Sequence, residues 1–317
     1  MPPHLGSFAK NLPIYKVPHP FTGKENPELL WTKRINRLKD AFELEGQISD
    51  AGDRLVLQDK ENIRVLQIYK PSSSFMYYDR SLVSPTNPKY ADSLLNYDQA
   101  RLLAHQWLEK LKLLDKQTFF EGMAYSRVSS QDSGNQKNPY MQSGEKEYNT
   151  EIKACFGFKI DESPALGPGA KIMISYAGDT MSQVAYFWRN PDSAAMGEKL
   201  IMSPESVRKH LARDPRFAQL DPNESKIRIN EIILGYYALP PYAVQEYYFP
   251  VYQLKGILET RIGNTPYNVE AVSKNKGSIV KETLQYNFNY FLPACDMTAR
   301  EYKMAGFPYP IEGSYIF

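Results

Sequence analysis

Apolar positions recur at helical spacing in three stretches of the chain. Trp31, Ile35, Leu38 and Phe42 follow one another at steps of four, three and four, which lines one face of a helix. That stretch opens at Asn26-Pro27-Glu28, a cap residue followed by proline in the first turn, and Gly46 is placed to end it. The second opens at Asn96 with Gln99 three residues on, a variant of the capping box. Ala100, Leu103, Ala104, Trp107, Leu108, Leu111 and Leu114 then form the cleanest apolar stripe in the sequence. The third opens at Ser203-Pro204-Glu205, carries Val207 and Leu211, and meets Asp214-Pro215, which disfavours continuation.

Between these helices the pattern changes to short alternating or continuous apolar runs bounded by turn residues. The first set covers Arg54 to Leu57, Ile63 to Tyr69 and Phe75 to Tyr78. A second covers Phe119 to Val128, Tyr148 to Ile160, Ala170 to Tyr176 and Val184 to Arg189. A third covers Lys226 to Leu239, Tyr247 to Leu258, Tyr267 to Val272 and Thr283 to Phe291. Helix followed by several strands, three times over, predicts an α+β protein of two or three helix-plus-antiparallel-meander units, with curved sheets each covered by a helix. The polar run Ser129 to Gly144 reads as an exposed hairpin loop. Asn190 to Gly197 supplies the expected boundary. Residues 1–190 then hold two units with a possible break near Pro88, and residues 191–317 hold one unit with an extended aromatic tail at Ala305 to Pro310.

Composition narrows the function classes. Lys plus Arg number 38 against 36 Asp plus Glu, a formal charge of +2 over 317 residues. Such a balance gives no electrostatic reason to expect a nucleic acid partner. Mean hydropathy is −0.50 and no run approaches the roughly 18 apolar residues of a spanning helix, so this chain is not expected to insert in a membrane. The start, MPPHLGSFAKNLPIYKV, lacks a basic and apolar leader pattern. A chain cut after a leader or anchor would read the same, which leaves an extracytoplasmic and a cytoplasmic location both open. The two cysteines, Cys155 and Cys295, are 140 positions apart. They exclude a close-spaced thiolate metal site and leave either two thiols or one disulfide.

No catalytic motif stands in the sequence. Gly167-Pro168-Gly169-Ala170-Lys171 lacks the spacing of a phosphate loop and precedes a strand, so Pro168-Gly169 is read as the centre of a type II turn. His4, His19, His105 and His210 share no metal-ligand spacing. No cofactor and no metal are expected. The informative constellation is aromatic: Tyr236-Tyr237, Tyr242, Tyr247-Tyr248-Phe249 and Tyr252. Adjacent strand residues face opposite sides, so the outward rings of such a run can form a rigid amphipathic contact surface. Tyr186-Phe187-Trp188-Arg189 raises the same prospect, an arginine stacked beside a tryptophan at a strand end.

The segments SLLNYDQARLLAHQWLEKLKLL (93–114) and KACFGFKIDESPALGPGAKIMISYAGDTMSQVAYFWRN (153–190), then SPESVRKHL (203–211) and KIRINEIILGYYALPPYAVQEYYFPVYQLKGIL (226–258), carry a resemblance. In order of elements they resemble the PepSY-like, cystatin-like modules of the YycH and YycI regulators and of some peptidase propeptides. The resemblance covers about two thirds of the chain. It implies binding or restraint of a protein partner and supplies no catalytic residues.

The reading that follows leans away from catalysis. It is a regulatory or binding protein that docks stoichiometrically through an aromatic strand surface, with Tyr237, Tyr242, Tyr248, Tyr252, Trp188 and Arg189 as contact residues and the loop at 129–144 assisting. The partner is a protein or a small apolar or sugar ligand. The alternative is a small-molecule isomerase or cyclase with an apolar cup between sheet and helix, in which Glu246, Tyr236 and Tyr248 act on the substrate. A third reading is a carbohydrate or peptide binder using the same rings.

Overall fold

The computed structural model describes residues 11–18, 27–82, 94–130, 146–213, 223, 225–261, 283–305 and 315–316. Strands make up 50% of it and helices 19%, with four helices among the described residues. The chain divides into two units. One takes Pro18–Asn190 with Pro240–Val244, and the other Met1–Val17, Pro191–Leu239 and Gln245–Phe317.

The first unit is built on α1 (Pro27–Ala41), β2 (Gln47–Asp50), β3 (Arg54–Gln58), β4 (Arg64–Tyr69), β5 (Phe75–Asp79), α2 (Tyr97–Lys110), β6 (Thr118–Ser130), β7 (Lys146–Ile160), β8 (Ser163–Leu166), β9 (Lys171–Ala177) and β10 (Thr180–Phe187). Its antiparallel strands run in the order β2-β3-β4-β5-β10-β9-β7-β6, and β8 folds back on the end of β7. Register carries two apolar rows across this sheet. Leu57, Leu66, Tyr77, Val184, Ile174 and Ala154 are successive cross-strand partners, as are Leu55, Ile68, Phe75, Tyr186, Ile172 and Phe156. A side-chain period of two puts both rows on one face. On that face Phe42 meets Phe75 and Tyr77, and His105 stands edge-on to Phe156 at 5.3 Å. Both helices therefore cover the same side of one sheet.

Both helices begin and end by local rules. Asn96 and Gln99 cap α2 reciprocally: the Asn96 Oδ1 accepts from the Gln99 N–H at 2.9 Å and the Gln99 Oε1 from the Asn96 N–H at 3.1 Å. At the C-terminus of α1 the Leu44 N–H reaches the Lys39 carbonyl and the Glu43 N–H the Asp40 carbonyl, with Glu43 left-handed at φ 50. Leu113, Lys112 and Leu108 repeat the motif at the end of α2, with Lys112 at φ 53. The Arg37 Nη2 then donates to the Leu111 carbonyl at 2.6 Å, fastening α1 to the end of α2.

In the second unit β1 (Asn11–Lys16) lies between β11 (Ala195–Leu200) and β13 (Tyr247–Tyr248). A second sheet runs β12 (Ser225–Tyr237), β14 (Pro250–Arg261), β15 (Thr283–Pro293), β16 (Tyr315–Ile316), all antiparallel. The unit also carries α3 (Pro204–Arg213) and α4 (Ala299–Ala305). Val207 and Leu211 of α3 pack with Met202, Tyr252, Leu254, Phe288, Tyr290 and Leu292 in one buried cluster.

This architecture corrects the expected fold class. Two or three separate helix-plus-meander units do not form, because β5 does not end a meander of its own. Its alternation, Phe75 and Tyr77 in and Met76 and Tyr78 out, matches Tyr186 and Val184 of β10, so the first two strand sets zip into one sheet. Gly46 does not end α1 either. A side chain there would collide with the Gln58 carbonyl oxygen, so glycine is required by the close approach of two backbones. The turn at Gly167 closes with the Ala170 N–H on the Gly167 carbonyl, but the positive φ, 90°, falls on Gly167 and not on Gly169, so it is not type II. Cys155 and Cys295 are free thiols. The expected break near Pro88, most of the 129–144 loop, the Tyr267 to Val272 strand and nearly all of the 305–310 tail lie outside the described residues.

Candidate functional site

The tyrosines singled out in the sequence are mostly core residues. Tyr236, Tyr237, Tyr248 and Tyr252 are 1%, 0%, 0% and 2% exposed, which corrects the expectation of outward rings. The reason lies in packing on both faces of the strand end. The Tyr236 ring meets Tyr15 edge-on at 5.6 Å and its hydroxyl donates to the Pro13 carbonyl, while its neighbour Tyr237 meets Phe291 at 5.1 Å. The Tyr252 hydroxyl donates to the Met202 carbonyl at 2.9 Å. Glu246 is exposed, so the proposed trio of Glu246, Tyr236 and Tyr248 does not share one environment. Of the six contact residues only Tyr242, 51% exposed, presents its ring to solvent.

Trp188 and Arg189 are buried too, at 2% and 4%. They do not stack on one another. Trp188 lies parallel to Phe158, and the Arg189 Nη2 donates to the carbonyls of Pro240, Pro241 and Ala243 at 2.8, 3.4 and 2.6 Å. A charged guanidinium is buried here as the organiser of one loop, which satisfies both the charge and three backbone acceptors.

A different place has the shape of a ligand site. Within the first unit a cleft of about 450 Å³ opens between the end of α1, α2 and the β9–β10 hairpin. That volume falls in the range of small-molecule pockets. Phe42, Trp107 and Tyr176 stand among its walls. Phe42 stacks on Tyr77 at 4.3 Å with the planes 2° apart and lies against Trp107 at 5.9 Å, and Tyr176 of β9 closes the far side. The Schellman turn places Glu43 at the rim, and the two-residue hairpin turn, with Gly178 at φ 63, places Asp179 and Thr180 opposite. Lys110, one helical turn beyond Trp107, holds its Nζ 4.4 Å from the centre of that indole ring.

Tyr176 is the distinctive member. It is 1% exposed, and its hydroxyl makes no hydrogen bond among the described residues. Burial drives its pKa far above the ordinary tyrosine value, so it stays protonated. Trp107, by contrast with the buried Trp31 and Trp188, is only partly buried. Sequence reading placed Phe42 and Trp107 only on helical stripes and Tyr176 only in a strand. The one available signal was a tryptophan with a lysine three residues on, at the edge of the α2 stripe.

A larger groove of about 960 Å³ runs beside β2 and the Asp59 to Arg64 turn, but its walls are polar. Its central carboxylate, Asp59, is already used by the Ile63 and Arg64 backbone amides and the Arg64 Nε. On the opposite face of the sheet from the helices, buried Glu151 accepts from the Ser182 hydroxyl at 2.6 Å and the Ser126 hydroxyl at 2.9 Å, with Lys153 at 3.6 Å. Among the described residues no group of three or more His, Cys, Asp and Glu is placed to hold a metal, and no helix is long and apolar enough to cross a membrane.

No family model matches the chain, and no curated protein does. Among solved structures it is similar to an uncharacterized protein from Eubacterium rectale, at a TM-score of 0.48 and 12% identity over 97% of this chain and 86% of that one. So distant a likeness carries no inference about function.

Proposed function

We propose that this chain is a binding protein that takes a small ring-bearing ligand into the cleft walled by Phe42, Trp107 and Tyr176. The observation that carries the reading is Tyr176, which lines the cleft and whose buried hydroxyl has no hydrogen-bond partner among the described residues. A buried polar group left unmade costs about 1–3 kcal/mol, and a ligand that supplies its partner recovers that cost. Flat, rigid ring walls suit a planar or cyclic ligand. This concave surface takes the place of the docking surface expected along 236–252, since Tyr236, Tyr237, Tyr248 and Tyr252 are spent on packing.

A thermal-shift screen with ring-bearing amines, acids, sugars and neutral compounds tests the reading. The expected result is a set of compounds that raise the melting temperature of the native chain and lose that effect against Trp107→Ala and Tyr176→Phe. A library that moves no melting temperature, or hits that act equally on both variants, contradicts it.

A further inference from the structure

We infer that the ligand of this cleft is a protonated organic amine, an inference that rests on the cleft being the binding site. The rim carries two carboxylates, Glu43 and Asp179, against one cation, Lys110. Neither carboxylate is in an ion pair among the described residues; the Asp179 Oδ1 accepts only the neighbouring Thr180 hydroxyl at 3.1 Å. Among the residues lining the cleft acidic groups thus outnumber basic ones two to one, with the Arg64 guanidinium turned to the Glu43 carbonyl at 3.3 Å, and such a rim beside aromatic rings favours a cation with an apolar body.

The protein itself demonstrates the seat. The Lys110 ammonium makes no ion pair among the described residues and rests on the Trp107 ring face, 4.4 Å from its centre. An ammonium ion is thus already accepted on that ring, supplied by a long flexible side chain that can swing into solvent when a ligand arrives. The Tyr176 oxygen adds specificity. Held neutral by burial, it can accept a hydrogen bond from an N–H of a protonated amine. A quaternary ammonium lacks that donor. An anionic ligand would face Glu43 and Asp179 and would have Lys110 as its one cation among the lining residues.

Three probes of one ring body and different charge separate the possibilities: 2-phenylethylamine, 2-phenylethanol and phenylacetate, titrated while tryptophan emission is read. The expected result is a saturable change with the amine at least about tenfold tighter than with the alcohol, a gap of about 1.4 kcal/mol, and no saturation with phenylacetate. Glu43→Gln with Asp179→Asn should weaken the amine about tenfold, and Lys110→Met should tighten it by removing the tethered competitor. Equal affinity for amine and alcohol, or tighter phenylacetate that Lys110→Met abolishes, overturns the amine assignment while leaving the cleft as the site. Absence of any response that Trp107→Phe removes overturns both.

Discussion

Trp188 lies parallel to Phe158, ring centres 4.3 Å apart and planes 3° from coincidence. The next residue, Arg189, turns its guanidinium to the carbonyls of Pro240, Pro241 and Ala243. One strand end thus anchors by an apolar ring and then by a buried charge. Removing the charge leaves three backbone acceptors short of a donor in a site 4% exposed. Arg189→Ala should lower unfolding free energy by about 2–4 kcal/mol in urea denaturation. Arg189→Lys should recover little of that, because an ammonium is more strongly hydrated than a guanidinium and costs more to bury. A lysine variant as stable as the native chain would contradict the assignment.

Glu151 makes a comparable case on the first unit's sheet. Its carboxylate accepts from Ser182 and Ser126 and faces Lys153, at 5% exposure. Glu151→Ala should cost about 2–4 kcal/mol by leaving hydroxyls and an ammonium without their acceptor. Glu151→Gln keeps the shape and one acceptor oxygen and should cost clearly less. Equal losses in the two variants would mean that the retained shape and acceptor oxygen recover nothing, which would contradict a role for the neutral acceptor bonds from Ser182 and Ser126.

Tyr252 tests the second unit. It belongs to the cluster with Met202, Leu254 and Phe288, so Tyr252→Ala should cost about 3–5 kcal/mol. Tyr252→Phe should cost about 1–2 kcal/mol for the lost bond to the Met202 carbonyl. Burial raises its pKa from 10.0 to about 12. The folded state therefore holds the proton longer than the unfolded state, and the stability this gives is full below pH 10 and lost as pH rises from 10 to about 12. Tyr186 is pushed to about 12 by the same cause and adds to the slope. Melting temperature should fall across that window, and less steeply in Tyr252→Phe. An unchanged slope in the variant would show that Tyr252 is not a source of it.

Much of the local structure was legible because it depends on near neighbours. Asn96 with Gln99 marked the start of α2, and the starts of α1 and α3 followed from proline in the first turn. Alternation found β3, β4, β5, β7, β9, β12 and β15 within a few residues. Which strands pair was not legible, since the Phe75 and Tyr77 alternation fits any apolar strand and only the three-dimensional search selects β10. The exposed strand β2 and the short α4 carry too little apolar pattern to be seen. Site reading failed for a related reason. A run of tyrosines announces aromatic surface but not what covers it, and at Tyr236 and Tyr237 both faces are covered. Phe42, Trp107 and Tyr176 stand 65 and 69 positions apart, and nothing local joins them.

The cleft is tested most directly by the indole N–H signals of the ¹⁵N-labelled protein. Three tryptophans give three such signals, and only Trp107 lines the cleft. Titration with the strongest compound from the thermal-shift screen should move the signal that Trp107→Phe deletes and leave those of Trp31 and Trp188 in place. A bound compound that leaves the Trp107 signal unmoved, or moves only the other two, would contradict the account.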